Sequence, residues 1–261
     1  KAFYNIRNAA NYLIGGLENT MEDYPEDSEE YQEESSASAV PEEWEYTEEQ
    51  TRNCSTLLKK FNAVSVRESS ATKLCKEIFG VEALHVLDPT MLLEKDEYIN
   101  LFKETETAKS DGNLFCYILD SGTEKDDIIN TIATEKRVKP FYVNSKYEDM
   151  AAPLEERIQQ PVEKWLRAFY DAEFVITDSF HACVFSIIFN KPFIVYGNRE
   201  RGFARFESLL KLFGLEERLV CSPNEINKAL NTPIDWNNVN RIHTEWKENS
   251  ISFLINNFKE A

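Results

Sequence analysis

From Ala63 onwards the chain alternates short apolar runs with segments of helical spacing, and that alternation limits the folds open to it. Ala63–Val66, Leu84–Leu87, Leu114–Leu119, Pro140–Asn144, Phe174–Thr177, Phe193–Tyr196 and Arg218–Cys221 read as strands. Helices are expected over Lys125–Glu135, Pro161–Tyr170, His181–Phe189, Phe203–Phe213 and Asn224–Leu230. Pro161 suits a first helical position, where its missing N–H costs nothing. Ahead of the first strand, Thr47 and Gln50 form a capping-box pattern, and Leu57, Leu58 and Phe61 give the next helix an apolar face. Ser69 or Ser70 is expected to cap a helix reaching Phe79, and a last helix from Trp236 to Phe258 packs on the fold. Strands alternating with helices bury both faces of a parallel sheet, so the class is α/β.

The start of the chain is different. Phe3–Leu17 has helical spacing and is stopped by Gly15-Gly16. The stretch MEDYPEDSEEYQEESSAS, Met21–Ser38, is acidic and almost without aliphatic residues. It reads as a solvated linker, with a binding tail for a basic partner as the alternative. The whole chain of 261 residues is 42% apolar, enough for a real core, and carries a net charge of −17. That field repels phosphate backbones, so no nucleic-acid partner is expected. An anionic small substrate would need a local pocket of arginine and backbone N–H groups.

Five widely spaced cysteines form no CxxC pair, which fits reduced thiols in a cytoplasmic protein. No apolar run approaches the ~20 residues of a membrane span. A Walker A loop, GxGxxG, HExxH and GxSxG are all absent from the sequence, and no His, Cys and carboxylate cluster has metal-ligand spacing.

Ligands of parallel α/β sheets sit beyond the carboxyl ends of the strands. Three stretches there could carry chemistry. In TDSFHACVFS, Asp178 or Ser179 is a good N-cap, and His181 falls in the first turn of the helix. N–H groups at that end attract anions and disfavour an imidazolium, which would hold His181 ready to accept a proton. The other reading is a helix cap beside a structural histidine. In VSVRE, Arg67 leaves a buried strand and can present a planar fork to a carboxylate or phosphate, or can form a surface salt bridge. In GNRERGFARFESLL, Arg199, Arg201 and Arg205 form a local basic patch, with Arg205 beside the apolar face of Phe206, Leu209 and Leu210. His85 and His243 read as structural.

The ordered pieces YTEEQ, VSVRE, VLDPTMLL, ITDSFHACVFSIIFNKPFIV and GNRERGFARFESLLKLFGLEERLV together resemble the polysaccharide pyruvyl transferase family. The resemblance implies a glycosyltransferase-B-like architecture of two Rossmann-like domains. It implies transfer of a pyruvyl group from phosphoenolpyruvate, a donor substrate and not a cofactor, to a glycan or lipid-linked sugar of a cell-surface or exopolysaccharide, forming a ketal. A cytoplasmic site at the inner face of the membrane would follow. On that pattern His181 and Arg67 are the catalytic candidates, with Ser179, Phe180, Asn198, Arg201 and Arg205 binding substrate; no metal is expected. Some relatives carry arginine where Ser179 stands, so that anion contact is either lost here or supplied by Arg205 or Arg201.

The expected divisions are residues 1–36, an N-terminal segment with the acidic linker; 37–93, the tail of a first Rossmann-like domain whose beginning is missing; 94–235, a second such domain; and 236–261, a packing helix. A fragment of a longer enzyme and a truncated, non-catalytic relative both fit that incomplete first domain. A nucleotide-sugar-dependent glycosyltransferase is the alternative activity.

Overall fold

The computed structural model describes residues 46–120, 122–145, 150–151, 153–197 and 202–258. The expected helix over Phe3–Leu17 and the acidic stretch Met21–Ser38 lie outside them. The chain divides into two compact units, one of Lys1–Leu84 with Arg199–Ala204, the other of His85–Asn198 with Arg205–Ala261.

In the first unit, α1 (Glu48–Leu58) starts on the expected capping box. The Thr47 N–H donates to Gln50 Oε1 at 2.8 Å, and the Gln50 N–H donates to Thr47 Oγ1 at 3.2 Å. The strand β1 (Val64–Val66) leads into α2 (Ser69–Glu77), and β2 (Ala83–His85) pairs with β1 in a two-stranded sheet. Ser69 and Ser70 do not cap α2. Glu68 is the N-cap, because the chain is still extended there and its carbonyl already accepts the Ala71 N–H at 3.2 Å. Leu58, Val66 and Cys75 are buried, and the Ser55 hydroxyl donates to the Phe79 carbonyl, tying α1 to the end of α2.

The second unit opens with a 3-10 turn, Pro89–Leu92, and α3 (Lys95–Glu104). It continues through β3 (Leu114–Tyr117), α4 (Thr123–Lys136), β4 (Pro140–Phe141), the single turn α5 (Leu154–Arg157) and α6 (Val162–Asp171). Then come β5 (Phe174–Thr177), α7 (Phe180–Ile188), β6 (Phe193–Tyr196), α8 (Phe203–Phe213), β7 (Leu219–Val220), α9 (Ile226–Asn231) and α10 (Trp236–Phe258). The strands form one sheet in the order β4-β3-β5-β6-β7, and every pair is parallel.

Successive residues of a strand point to opposite faces, and the core divides accordingly. Phe115, Val175, Phe193 and Val195 join Leu166, Phe169, Phe185 and Leu210 on one face. Leu114, Cys116, Phe174, Ile176 and Ile194 join Ile128, Ile132 and Ile226 on the other. The unit is thus a helix–sheet–helix sandwich, as the βα alternation requires. Helix α7 is apolar almost all round because it lies in the interior: from Ala182 to Ile188 every residue is buried. Its one interior hydroxyl, on Ser186, donates to the Ala182 carbonyl at 2.8 Å. Asn190 ends the helix in the left-handed region, which asparagine tolerates, and the Lys191 N–H turns back to the Ser186 carbonyl.

Three strands of the five-stranded sheet are shorter than the stretches expected for them, and in the two-stranded sheet β2 stops at His85 rather than Leu87. β3 stops at Tyr117 because the Leu119 and Asp120 N–H groups turn to a side chain, and β4 stops at Phe141, where Asn144 turns its amide to the Ile118 carbonyl. β7 is reduced to Leu219–Val220 because Arg218 is drawn under the end of α9, donating to the Ala229 and Thr232 carbonyls.

The segment after β2 is fastened from several sides. The His243 Nε2 lies 2.8 Å from the Met91 carbonyl, and the Leu87 N–H donates to Ser250 Oγ at 3.0 Å, both on α10. Burial lowers the proton affinity of His243 below its ordinary value of 6.5. Below pH 6.5 the unfolded chain takes up a proton that the folded one resists, so stability falls as the pH drops until the folded pKa is passed. The melting temperature is therefore expected to decline from pH 7 to pH 5, and His243→Gln should flatten that decline in a thermal-melt series.

Candidate active site

In order of appearance the strands of the second unit lie 2-1-3-4-5, which puts the topological switch point between β3 and β5. The carboxyl ends of these strands are locked together. Thr177 Oγ1 donates to the Tyr117 carbonyl at 2.6 Å and accepts the Ser179 N–H at 2.9 Å. The Asp178 carboxylate accepts the Leu119 N–H at 2.7 Å, the Asp120 N–H at 3.0 Å and Lys125 Nζ at 2.6 Å. Both members of this ion pair are largely withdrawn from water, with 13% of the Lys125 and 6% of the Asp178 side chain exposed. Beside it the Tyr196 hydroxyl donates to Glu124 at 2.6 Å. Burial and then the Glu124 carboxylate push that phenol up to about 12, so it stays a neutral donor.

Doubly wound sheets usually receive ligand anions at such a switch point, on backbone N–H groups and a helix N-terminus. Here a carboxylate of the protein takes those donors, and Glu124 stands in the first turn of α4.

One strand-end further, β5 leads into α7. Ser179 is the N-cap, as expected, but its hydroxyl makes no capping bond. The Cys183 N–H reaches back to the Ser179 carbonyl at 3.0 Å, so Phe180, His181 and Ala182 make up the first turn. His181 projects from that turn with 52% of its side chain exposed. The Phe180 ring lies beneath the cluster: the His181 ring is 5.6 Å from it, the Phe206 ring 6.0 Å, and the Arg205 guanidinium sits over it at 5.7 Å. Arg205, on α8, is thus placed where the sequence put it, beside the apolar face that begins with Phe206.

The structure therefore brings Ser179, Phe180, His181 and Arg205 together in one unit. Arg67 follows β1 in the first unit. Asn198 and Arg201 lie outside the described residues. A further acid joins the cluster: Asp88, only 3% exposed, points Oδ2 at His181 Nε2 across 3.9 Å. Its Oδ1 accepts the Thr90 N–H at 2.9 Å and the Thr90 hydroxyl at 2.7 Å. The sequence signal for Asp88 was its position directly after an apolar run, ahead of Pro89, but nothing local linked it to His181. None of the five cysteines is paired, and among the described residues no group of three His, Cys, Asp or Glu is placed to hold a metal ion.

Fold and site together define an α/β protein with a histidine and an arginine gathered at a helix N-terminus on the carboxyl edge of a parallel sheet. The chain belongs to the polysaccharide pyruvyl transferase family, whose model matches residues 36–200. A search of curated proteins gave no match. Among solved structures the chain is similar to the wall teichoic acid polymerase TagF, with 13% identity, a TM-score of 0.39 and coverage of 84% of this chain and 59% of that one. A histidine-to-asparagine form of the same polymerase, soaked with CDPG, gives 13% identity, a TM-score of 0.37 and coverage of 82% and 57%. The chain thus spans less than two thirds of the length of these structures. No helix among the described residues is long and apolar enough to cross a membrane.

Proposed function

We propose that this protein transfers a pyruvyl group from phosphoenolpyruvate to two hydroxyls of a sugar in a polysaccharide or lipid-linked precursor, as part of a two-domain, glycosyltransferase-B-like enzyme. Family membership supports the reaction class. The observation that carries the reading is the grouping of His181 and Arg205 around Phe180 at the first turn of α7. The donor has a phosphate and a carboxylate, and a guanidinium fork with helix N–H groups binds such anions in an otherwise acidic protein. The switch point favours this placement, because Asp178 already holds the donors that a nucleotide diphosphate would need.

The chemistry balances with one proton shuttle. The methylene carbon of the donor takes a proton, and the two sugar hydroxyls add in turn to the adjacent carbon as phosphate departs. Two hydroxyl protons are released; one replaces the proton delivered to carbon and the other leaves with phosphate. His181 serves as the acid and base that moves them. Arg205 holds the phosphate as charge builds on it, assisted by the first-turn N–H groups and Ser179.

Ligand-induced stabilisation tests the reading. Phosphoenolpyruvate at 100 times its Kd should stabilise the folded protein by about 2.7 kcal/mol, and nucleotide sugars should leave the melting temperature unchanged. Arg205→Ala should lose most of the phosphoenolpyruvate shift. Stabilisation by a nucleotide sugar and none by phosphoenolpyruvate would replace this activity with glycosyl transfer.

A further inference from the structure

We propose that Asp88 is the positioning residue of His181: its Oδ2 faces Nε2, keeps the proton of the neutral ring on that nitrogen, and leaves proton exchange with substrate to Nδ1. The proposal rests on the reading of His181 as the acid and base. At 3.9 Å the contact has ion-pair range and exceeds a direct hydrogen bond. Such contacts shorten when the ring takes a proton or substrate closes the site.

The placement of Asp88 is not incidental to its turn. Its Oδ1 is fixed by both donors of Thr90, which aims Oδ2 in one direction. The turn is itself clamped. The Tyr98 hydroxyl of α3 donates to the Thr90 carbonyl at 2.7 Å, and the Tyr98 ring packs on Phe185 of α7 at 4.9 Å. His243 holds the Met91 carbonyl and Ser250 holds the Leu87 N–H, both from α10. Three helices therefore set the carboxylate against the ring, one of them the helix that carries His181. A buried carboxylate fixed in this way stabilises the imidazolium that forms during proton transfer and selects one tautomer of the neutral ring.

Asp88→Asn separates this role from a purely structural cap. The asparagine carbonyl oxygen can still accept from Thr90, so the turn survives. Its amide N–H₂ then faces His181 and asks Nε2 to accept, which moves the ring proton to Nδ1. The 261-residue chain has three histidines, so its 15N-labelled ring signals are few, and His181→Ala identifies the one that belongs to His181. The expected result is protonated Nε2 in the wild type and protonated Nδ1 in Asp88→Asn. With it, kcat for pyruvyl transfer should fall on the order of 10²-fold, while KM for phosphoenolpyruvate changes less than threefold. An unchanged tautomer, or a switched tautomer with unaltered kcat, overturns the proposal. Turnover retained in His181→Ala would instead sink the functional reading, and the tautomer comparison decides the Asp88 contact without any activity.

Discussion

His181→Ala is expected to abolish measurable pyruvyl transfer and to leave the fold intact. The ring is half exposed, with 52% of the side chain open to solvent, so its removal deletes little packing. Substitutions at such positions usually stay within about 0.5 kcal/mol of wild type. General acid–base catalysis by a positioned side chain contributes on the order of 10²- to 10⁴-fold, and this histidine is asked to handle both the carbon protonation and the hydroxyl deprotonations. The loss should therefore sit in kcat. Thermal stabilisation by phosphoenolpyruvate should persist, because the guanidinium of Arg205 and the first-turn N–H groups are untouched. A folded variant with near-normal turnover would remove His181 from the mechanism.

Asp178→Ala is expected to be the most destabilising of the polar substitutions around the site. The carboxylate satisfies two backbone N–H groups and Lys125 at once, with 6% of its side chain exposed. Breaking a buried pair by deleting one partner costs about 3–5 kcal/mol, because the remaining charge stays uncompensated. Here the two N–H groups at the end of β3 lose their acceptor as well. Lys125→Met should cost less, since Asp178 keeps both N–H donors. In the double variant the losses should add to less than their sum, as groups sharing one network do. Denaturant midpoints on the three variants measure this directly. A cost below 1 kcal/mol for Asp178→Ala would mean that water replaces the carboxylate, and the switch point would then be open to ligands.

The two outcomes differ for a structural reason. His181 lies at the surface of a helix that other residues hold, whereas Asp178 is part of what holds it. Asp178 immediately precedes the N-cap of α7 and ties that point to the end of β3.

The sequence made much of this legible. Buried strands such as Phe174–Thr177 and Phe193–Tyr196 are short, continuous apolar runs, and such runs announce a parallel sheet without any partner being known. The capping box of Thr47 and Gln50 is complete within four residues, so it could be read in place. The short spacing between Ser179 and His181 likewise put a histidine in a first helical turn before any fold was assembled. Helix α3 was missed although Tyr98, Ile99 and Phe102 are buried at helical spacing, because its capping box is built from two glutamates, Glu94 and Glu97, instead of the usual serine or threonine start. The extended ends given to β3, β4 and β7 erred because distant partners take over there: Asp178 holds the Leu119 and Asp120 N–H groups, Asn144 turns to the Ile118 carbonyl, and Arg218 reaches the Ala229 and Thr232 carbonyls.

What the sequence determined by itself is what short-range physics controls: the α/β class, the alternation of strands and helices, the capping box of Thr47 and Gln50, and the presence of His181 at a helix start. Only the tertiary structure decided the strand order, the carboxylate across the switch point, and the pairing of Asp88 with His181. Asp178 and the Leu119 N–H lie 59 positions apart, and no local pattern encodes such a contact. It exists because crossover connections bring the ends of β3 and β5 side by side, and because a buried carboxylate there is stable only where donors from another strand complete it.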